Sequence, residues 1–341
     1  MVEGGVEVGA FNSVRSPGWV LTYQSVDITS DISSMVLAIT YTDRLGAASS
    51  DLEIVLEDSE KLWQGPWYPQ EGDIVNVTIG YRGEAQLPCG SFQVDELLLS
   101  GPPDTFHLRC LATYITPAMR TTRSAGYEGQ TLTQIAGTIA GKYSLGLVSQ
   151  AGELDPSFER VTQNQETDLG FLRRLALEHD YDFTIRGSQM VFYTRSALEA
   201  AQPVTSIARG DVMKFAFKDR SYRIYETAQV AYQQPFAKAL VTQSVSANGP
   251  VPTTDSAKRV IRCENGQQAQ LKASSILHGS NMVKRVASLT SSGSAVLAAG
   301  NVATIAGFGV NDGNYLIEQA RHQLTRENGY TTQIDARSLP A

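Results

Sequence analysis

Apolar and polar positions alternate through the first third of the chain. Val75, Val77, Ile79 and Tyr81 interleave with Asn76, Thr78 and Gly80, the two-residue period of a strand with one buried face. Gly80, Gly83, Pro88 and Gly90 predict turns, and Phe92, Val94 and Glu96 start a second alternating run. Gly101-Pro102-Pro103-Asp104 predicts a further turn, because proline presets φ and Asp and Gly tolerate tight bends. Phe106, Leu108 and Cys110 then predict a third strand. The period next lengthens. Thr131-Leu132-Thr133-Gln134 is a capping-box sequence, and Leu132, Ile135, Ala136, Ile139 and Ala140 fall on one helical face behind it. A second helix is predicted from Thr167-Asp168, with its acid at the positive end of the helix dipole. It buries Phe171, Leu172, Leu175 and Ala176 and exposes Arg173, Arg174 and Glu178. Tyr181-Asp182-Phe183 and Met190-Val191-Phe192-Tyr193 predict a hairpin across Gly187. Strand patterning returns at Val212. Residues 235–280, with Pro235, Asn248-Gly249-Pro250, Pro252 and a polar helical patch Gln267–Leu277, read as an insertion before β structure resumes near Met282.

An internal repeat organises these elements. Gly72-Asp73 followed by an apolar strand and Gly80-Tyr81 matches Gly300-Asn301, an apolar strand and Gly307-Phe308. Gly90-Ser91-Phe92-Gln93-Val94-Asp95 matches Gly313-Asn314-Tyr315-Leu316-Ile317-Glu318, and Phe106–Ala112 matches Tyr330–Ala336. Residues 72–112 are therefore expected to superpose on 300–336, strand for strand. The alternation also changes phase between Ile317 and Ala320, which predicts a bulge near Glu318-Gln319. The expected fold is mainly β with α+β insertions: two similar small β-barrels per chain plus an intervening α/β domain. Residues 1–117 form the first tube-like barrel and 118–208 the α/β domain. Residues 209–234 with 281–341 form the second tube-like barrel, and 235–280 form the insertion.

Composition narrows the function classes. The 341 residues carry 28 Lys and Arg against 35 Asp and Glu, a formal charge of −7, so no basic face for nucleic acid is expected. Hydrophobic residues at 42% suffice for real cores. Cys89, Cys110 and Cys263 are odd in number and widely spaced, which predicts reduced, partly buried thiols and no zinc knuckle. The N-terminus lacks the basic and apolar regions of a signal peptide. No charge occurs between Arg285 and Asp312, but Gly300, Asn301, Thr304 and Gly307 interrupt the stretch. It falls short of the roughly 20 apolar residues of a membrane span and reads as two short buried strands around a turn.

Each candidate for chemistry fails on spacing or context. Gly137–Tyr143 has three residues between its glycines where a phosphate loop needs four, and Tyr143 stands where Ser or Thr would hold magnesium. Gly307-Phe308-Gly309 leads into Asn311-Asp312-Gly313, a turn signal and not a helix, so it is no dinucleotide fingerprint. Glu178-His179-Asp180-Tyr181-Asp182 offers possible metal ligands, yet no second cluster is evident among His107, His278 and His322; a solvated helix end is expected. Glu166 and Asp168 are the best pair for paired-carboxylate hydrolysis, but two acids opening a helix are expected to serve its N-terminus. No GxSxG is present. The expectation is no catalytic, cofactor or metal residue, and a protein that is not an enzyme. Two competing classes are a cell-wall hydrolase and a carbohydrate-binding β-protein using Trp19, Trp63 or Trp67.

A series of stretches, in order, resembles the late control gene D family, the tail hubs of contractile phages and R-type phage-tail-like bacteriocins. They are Asp27-Ile28-Thr29, Tyr41-Thr42-Asp43 with Ser50–Ile54, Gly90–Glu96, Tyr127–Leu132, Glu166–Ala176, and Gly313-Asn314-Tyr315 with His322 and Gly329–Thr332. The family is similar to the hub part of type VI secretion spike proteins. One departure is Asp180, where the family pattern has glycine; Asp tolerates the left-handed conformation, so the turn survives. The resemblance implies a homotrimer whose six barrels adapt a six-fold tail tube to a three-fold spike, in contact with other baseplate proteins. It implies a place in the baseplate of a virion or tail-like particle made in the host cytoplasm. The chain ends soon after the second barrel, so the spike is expected to be a separate protein.

Overall fold

The computed structural model describes residues 15–46, 49–113, 117–150, 155–234, 239–249, 251 and 253–339. Its first half contains β1 (Pro17–Tyr23), β2 (Val26–Asp27), α1 (Thr29–Ile32), β3 (Val36–Arg44), β4 (Asp51–Glu57), β5 (Ile74–Tyr81), β6 (Leu87–Ser100) and β7 (Thr105–Ala112). The alternation of β4 and β5 puts Leu52, Ile54, Leu56, Val75, Val77 and Ile79 into one core with Ile39, Phe92 and Phe106. Strands β5, β6 and β7 form the expected meander, with the 101–104 turn between the last two. Pro88 and Gly90 lie inside β6, not in a turn; Cys89 is the extra residue of a bulge, which tolerates a proline without a ladder donor.

The middle of the chain is the α/β unit: α2 (Pro117–Arg120), β8 (Thr122–Thr131), α3 (Leu132–Lys142), β9 (Gly146–Gln150), β10 (Ser157–Thr167), α4 (Asp168–Glu178), β11 (Tyr181–Arg186), β12 (Gln189–Thr194) and α5 (Arg195–Glu199). The capping box forms: Gln134 N–H donates to Thr131 Oγ1 at 3.3 Å, and Thr131 N–H donates to Gln134 Oε1 at 2.9 Å. The predicted faces of both helices pack on Phe183, Met190 and Phe192 of the hairpin. Strands β8 and β10 pair with each other, and β12 is flanked by β11 and β9.

The remainder comprises β13 (Thr205–Ala208), β14 (Val212–Asp219), β15 (Thr227–Gln234), β16 (Ala239–Ser246), β17 (Ser256–Val260), α6 (Gly266–Asn281), β18 (Arg285–Ser292), β19 (Val302–Ala306), β20 (Gly313–Thr325) and β21 (Gly329–Ser338). Two expected boundaries move. Strand β15, expected in the second barrel, pairs with β16 and β17 under α6, because its Ala228, Val230 and Tyr232 share a core with Ala269 and Ala273. Strand β13, expected in the α/β domain, pairs with β19. The apolar stretch 294–309 carries one strand, β19, and not two; Leu297 and Ala299 are buried in the turn before it.

Among the described residues, thirteen strands form one sheet in the order β14-β18-β21-β20-β3-β4-β7-β6-β5-β1-β2, with β19 and β13 branching from β20. The order β3-β4-β7-β6-β5-β1 in the first half recurs as β14-β18-β21-β20-β19-β13 in the second. The repeat extends to single bonds. Gly72 N–H donates to the Val94 carbonyl and Val94 N–H to the Asp73 carbonyl; Gly300 N–H donates to Ile317 and Ile317 N–H to Asn301, all at 2.9 Å. Both glycines have positive φ, +95° and +91°, the left-handed region that glycine enters freely. The bulge expected near Glu318-Gln319 is present at Glu318, and its counterpart is Asp95 in β6. A second equivalent pair of bulges falls at Leu37 in β3 and Met213 in β14. One match is corrected: Cys110 lies opposite Val94 as Ala336 lies opposite Ile317, so β7 aligns with β21 two residues away from the expected Phe106–Tyr330 pairing. A two-residue shift keeps every side chain on its face, so alternation could not reveal it. The halves also differ, since β1 is antiparallel to β5 and β13 parallel to β19.

Candidate functional site

Glu166 and Asp168, the expected best pair for hydrolysis, are held apart by separate cations. Glu166 takes a two-pronged bond from Arg174, whose Nε and Nη2 donate at 3.0 and 2.9 Å, and this hydrogen bond lowers its pKa. Asp168 is fully buried and accepts from Lys142 Nζ at 2.6 Å, Tyr143 Oη at 2.6 Å and Gln163 Nε2 at 2.8 Å. Burial would raise its pKa, but these donors prevail and lower it. A hydrolytic general acid needs a raised pKa. Neither side chain has one. The helix is capped by Thr167 Oγ1, which accepts from Gly170 N–H at 3.0 Å, and not by the acids.

The 178–182 stretch is a buried junction and not the solvated helix end expected. His179 is 1% exposed and its Nδ1 lies 2.9 Å from the Leu175 carbonyl. Asp180 adopts φ +64°, as the turn requires, and meets Arg195 Nη1 at 3.4 Å. His278 of α6 sits between Asp180, with Nδ1–Oδ2 at 2.8 Å, and Glu199, with Nε2–Oε1 at 2.7 Å. Glu199 also meets Arg337 Nη2 at 2.6 Å, and Arg337 Nε lies 3.1 Å from Glu318. This chain of charges joins the α/β unit, the inserted helix and the second half of the sheet. Burial alone would lower the His278 pKa, but hydrogen bonds donated to both carboxylates, and their charge, raise it to about 9. No group of three or more His, Cys, Asp or Glu side chains among the described residues has metal-site geometry. Spacing could not reveal this junction: Asp180, Glu199, His278 and Arg337 are dispersed through the sequence.

Asp43 makes a second junction. It is 2% exposed, accepts from Arg186 Nη2 at 3.2 Å and from Ala299 N–H at 2.9 Å, and so ties the first half, the α/β unit and the second half together. A cavity of about 310 Å³ opens beside it, lined by Tyr41, Cys89, Phe92, Phe183 and Arg186. His322 is fully buried next to Tyr41, their rings stacked at 5.9 Å, and its Nδ1 lies 2.9 Å from the Tyr330 hydroxyl. Trp63, counted as an exposed sugar platform in the carbohydrate-binding alternative, is 5% exposed and stacks on Phe106 at 6.0 Å. Trp67 is exposed but packs its edge on Trp63. The three cysteines are free and buried.

Some of the exposed apolar side chains lie on strands whose outer edge is unpaired among the described residues. Strand β14 ends the main sheet with β18 as its sheet neighbour, and its Met213 and Phe215 are exposed. The C-terminal part of β6, Glu96–Ser100, pairs only with β7 among the described residues, and Leu98 and Leu99 are exposed there. An unpaired edge with apolar side chains is a template for another strand. No helix among the described residues is long and apolar enough to cross a membrane.

The described residues form a mainly β scaffold whose strand order recurs in the two halves, with structural charge clusters between its units. In agreement, the fold is similar to that of the 43 kDa tail protein of prophage MuSo2 from Shewanella oneidensis, with a TM-score of 0.73 at 15% identity, covering 95% of this chain and 98% of that one. It is also similar to the c3393 protein of E. coli, a component of the type VI secretion system, with a TM-score of 0.56 at 14% identity over 90% and 76% of the two chains. The sequence model of the phage tail baseplate hub (GPD) matches residues 115–328, and the chain belongs to that family. A probable baseplate hub protein of Escherichia phage 186 is 28% identical over 223 residues, 63% of this chain. The match spans 56% of that relative's length, so the chain aligns with about half of it.

Proposed function

We propose that this chain is the structural hub of a contractile-tail baseplate, in a virion or tail-like particle. Three copies close around one axis, and each half-chain acts as one small tube-like barrel. The six barrels meet the six-fold tail tube on one side and the three-fold spike on the other. The observation that carries this reading is the repeat of strand order, paired bulges and backbone bonds between the halves. Two scaffolds with the same strand order in one chain present a similar surface twice, so three chains present it six times. Membership of the baseplate hub family supports the setting.

The mechanism is mechanical: repeated interfaces transmit symmetry, and no bond is broken. The lowered pKa values of Glu166 and Asp168 favour this over the hydrolase reading. Closed cyclic symmetry with head-to-tail contacts is the expected route, with roughly 800 Å² buried per partner at each contact. Imaging of the end of the tail in intact particles tests it. Three copies in a ring of six similar barrels are expected, and one copy or six copies overturn it.

A further inference from the structure

Within the chain, the two halves join by one edge-to-edge pairing: β3 lies antiparallel to the C-terminal part of β20, with Gln319 opposite Arg44 and His322 opposite Tyr41. The repeat supplies a counterpart for each side of this joint. Strand β6 corresponds to β20 through the bulges at Asp95 and Glu318, so Glu96 takes the place of Gln319 and Leu99 that of His322. Strand β14 corresponds to β3 through the bulges at Met213 and Leu37 and through the registers of β4 and β18. Phe217 then takes the place of Tyr41, Phe215 that of Ile39, and Arg220 that of Arg44.

These counterparts are far apart in the order of the sheet, and among the described residues each has an open edge. Their burial shows what a missing neighbour leaves. His322 and Ile39 are 0% exposed in the joint, whereas Leu99 and Phe215 at the equivalent places are 47% and 46% exposed.

We infer that β14 of one copy pairs antiparallel with Glu96–Ser100 of β6 in the next copy of this chain, repeating the internal joint of β3 and β20. The register follows from the repeat. Glu96 faces Arg220, Leu97 faces Asp219, Leu98 faces Lys218, Leu99 faces Phe217 and Ser100 faces Ala216. Three features of the chain select a second copy as the occupant. The receiving edge already exists within the chain, the opposed end residues Glu96 and Arg220 carry opposite charge, and each chain holds both complementary edges. A contact of this head-to-tail kind makes a ring when its rotation closes. The inference rests on the trimeric hub reading and specifies its contact between chains.

Paired cysteines test it in assembled tails. Leu98→Cys with Lys218→Cys places two thiols opposite each other on the exposed face, and mild oxidation should link chains into a species three times the mass of one. Thr42→Cys with Arg321→Cys, the equivalent pair of the internal joint, should close within one chain with no gain in mass. Leu98→Cys with Ala216→Cys is two residues out of register, and its linked yield should be roughly ten-fold lower, since a disulfide bridges only close Cα atoms. Ser100→Cys with Ala216→Cys is a second in-register pair should the first disturb folding. Tails that hold three copies but link neither in-register pair above the out-of-register one overturn the edge pairing and leave the hub reading standing. Tails with another copy number overturn the hub reading itself.

Discussion

His278 and His322 are both largely buried, yet their surroundings favour the charged form of the first and the neutral form of the second. His278 faces Asp180 and Glu199, with Arg195 and Arg337 behind those carboxylates. Its pKa of about 9 lies above the unfolded value, so its contribution is complete below about pH 6.5 and is lost as pH rises through 9. For His322, burial is the main cause and lowers the pKa to about 4. The folded state then binds fewer protons, so its contribution is complete above about pH 6.5 and is lost as pH falls toward 4. Each limb is worth on the order of 2–3 kcal/mol after allowance for residual exposure. A scan of melting temperature from acid to alkaline pH should therefore fall at both ends. His278→Gln should flatten the alkaline limb and His322→Gln the acid limb. Identical profiles in the two variants would refute the assignment.

At the scale of elements, Gly293 follows β18 and its N–H donates to the Tyr330 carbonyl at 2.8 Å. A Cβ there would stand 2.0 Å from the Tyr330 ring. That ring cannot move cheaply, because its hydroxyl meets His322 and it packs, tilted, against the Tyr81 ring at 5.3 Å. Gly293→Ala should cost roughly 2–3 kcal/mol as overpacking. Chemical denaturation measures this, and a loss under about 0.5 kcal/mol, as for an ordinary surface change, would contradict it. The return of β structure near Met282 was legible in the sequence, but the tight packing at this glycine was not. Its constraint comes from a ring 37 positions later, beyond any periodic signal.

For the whole molecule, the sheet is a spine and the other units hang from it at charged joints. Asp43 is the most centrally placed of these, since it holds Arg186 of the α/β unit and the backbone of Ala299 together. Asp43→Ala removes the acceptor from both and should cost roughly 1–3 kcal/mol, the range for orphaned buried donors. Hydrogen exchange should rise at residues 183–187 and 297–300, while α3 and the capping box of Thr131 stay protected. Uniform loss of protection, or none, would show that Asp43 is not the tie between the units. The proposed ring follows the same logic at larger scale, with an internal joint serving as the pattern for an external one.

The sequence by itself determined what depends on neighbours two to four positions away. Alternation placed the β5-β6-β7 meander, a Thr and a Gln three apart placed α3, and a phase change placed the bulge at Glu318. The repeat was readable because the same short-range rules act twice in one chain. Family resemblance carried the rest of the functional reading, since each candidate for chemistry in the sequence failed on spacing or context. Tertiary structure alone decided which distant residues meet. It placed β15 under α6, put His278 between Asp180 and Glu199, buried Trp63 and joined β20 to β3. The physical reason is that a buried charge or an open strand edge needs some partner, but chain spacing does not say which one; only packing brings that partner within bonding distance.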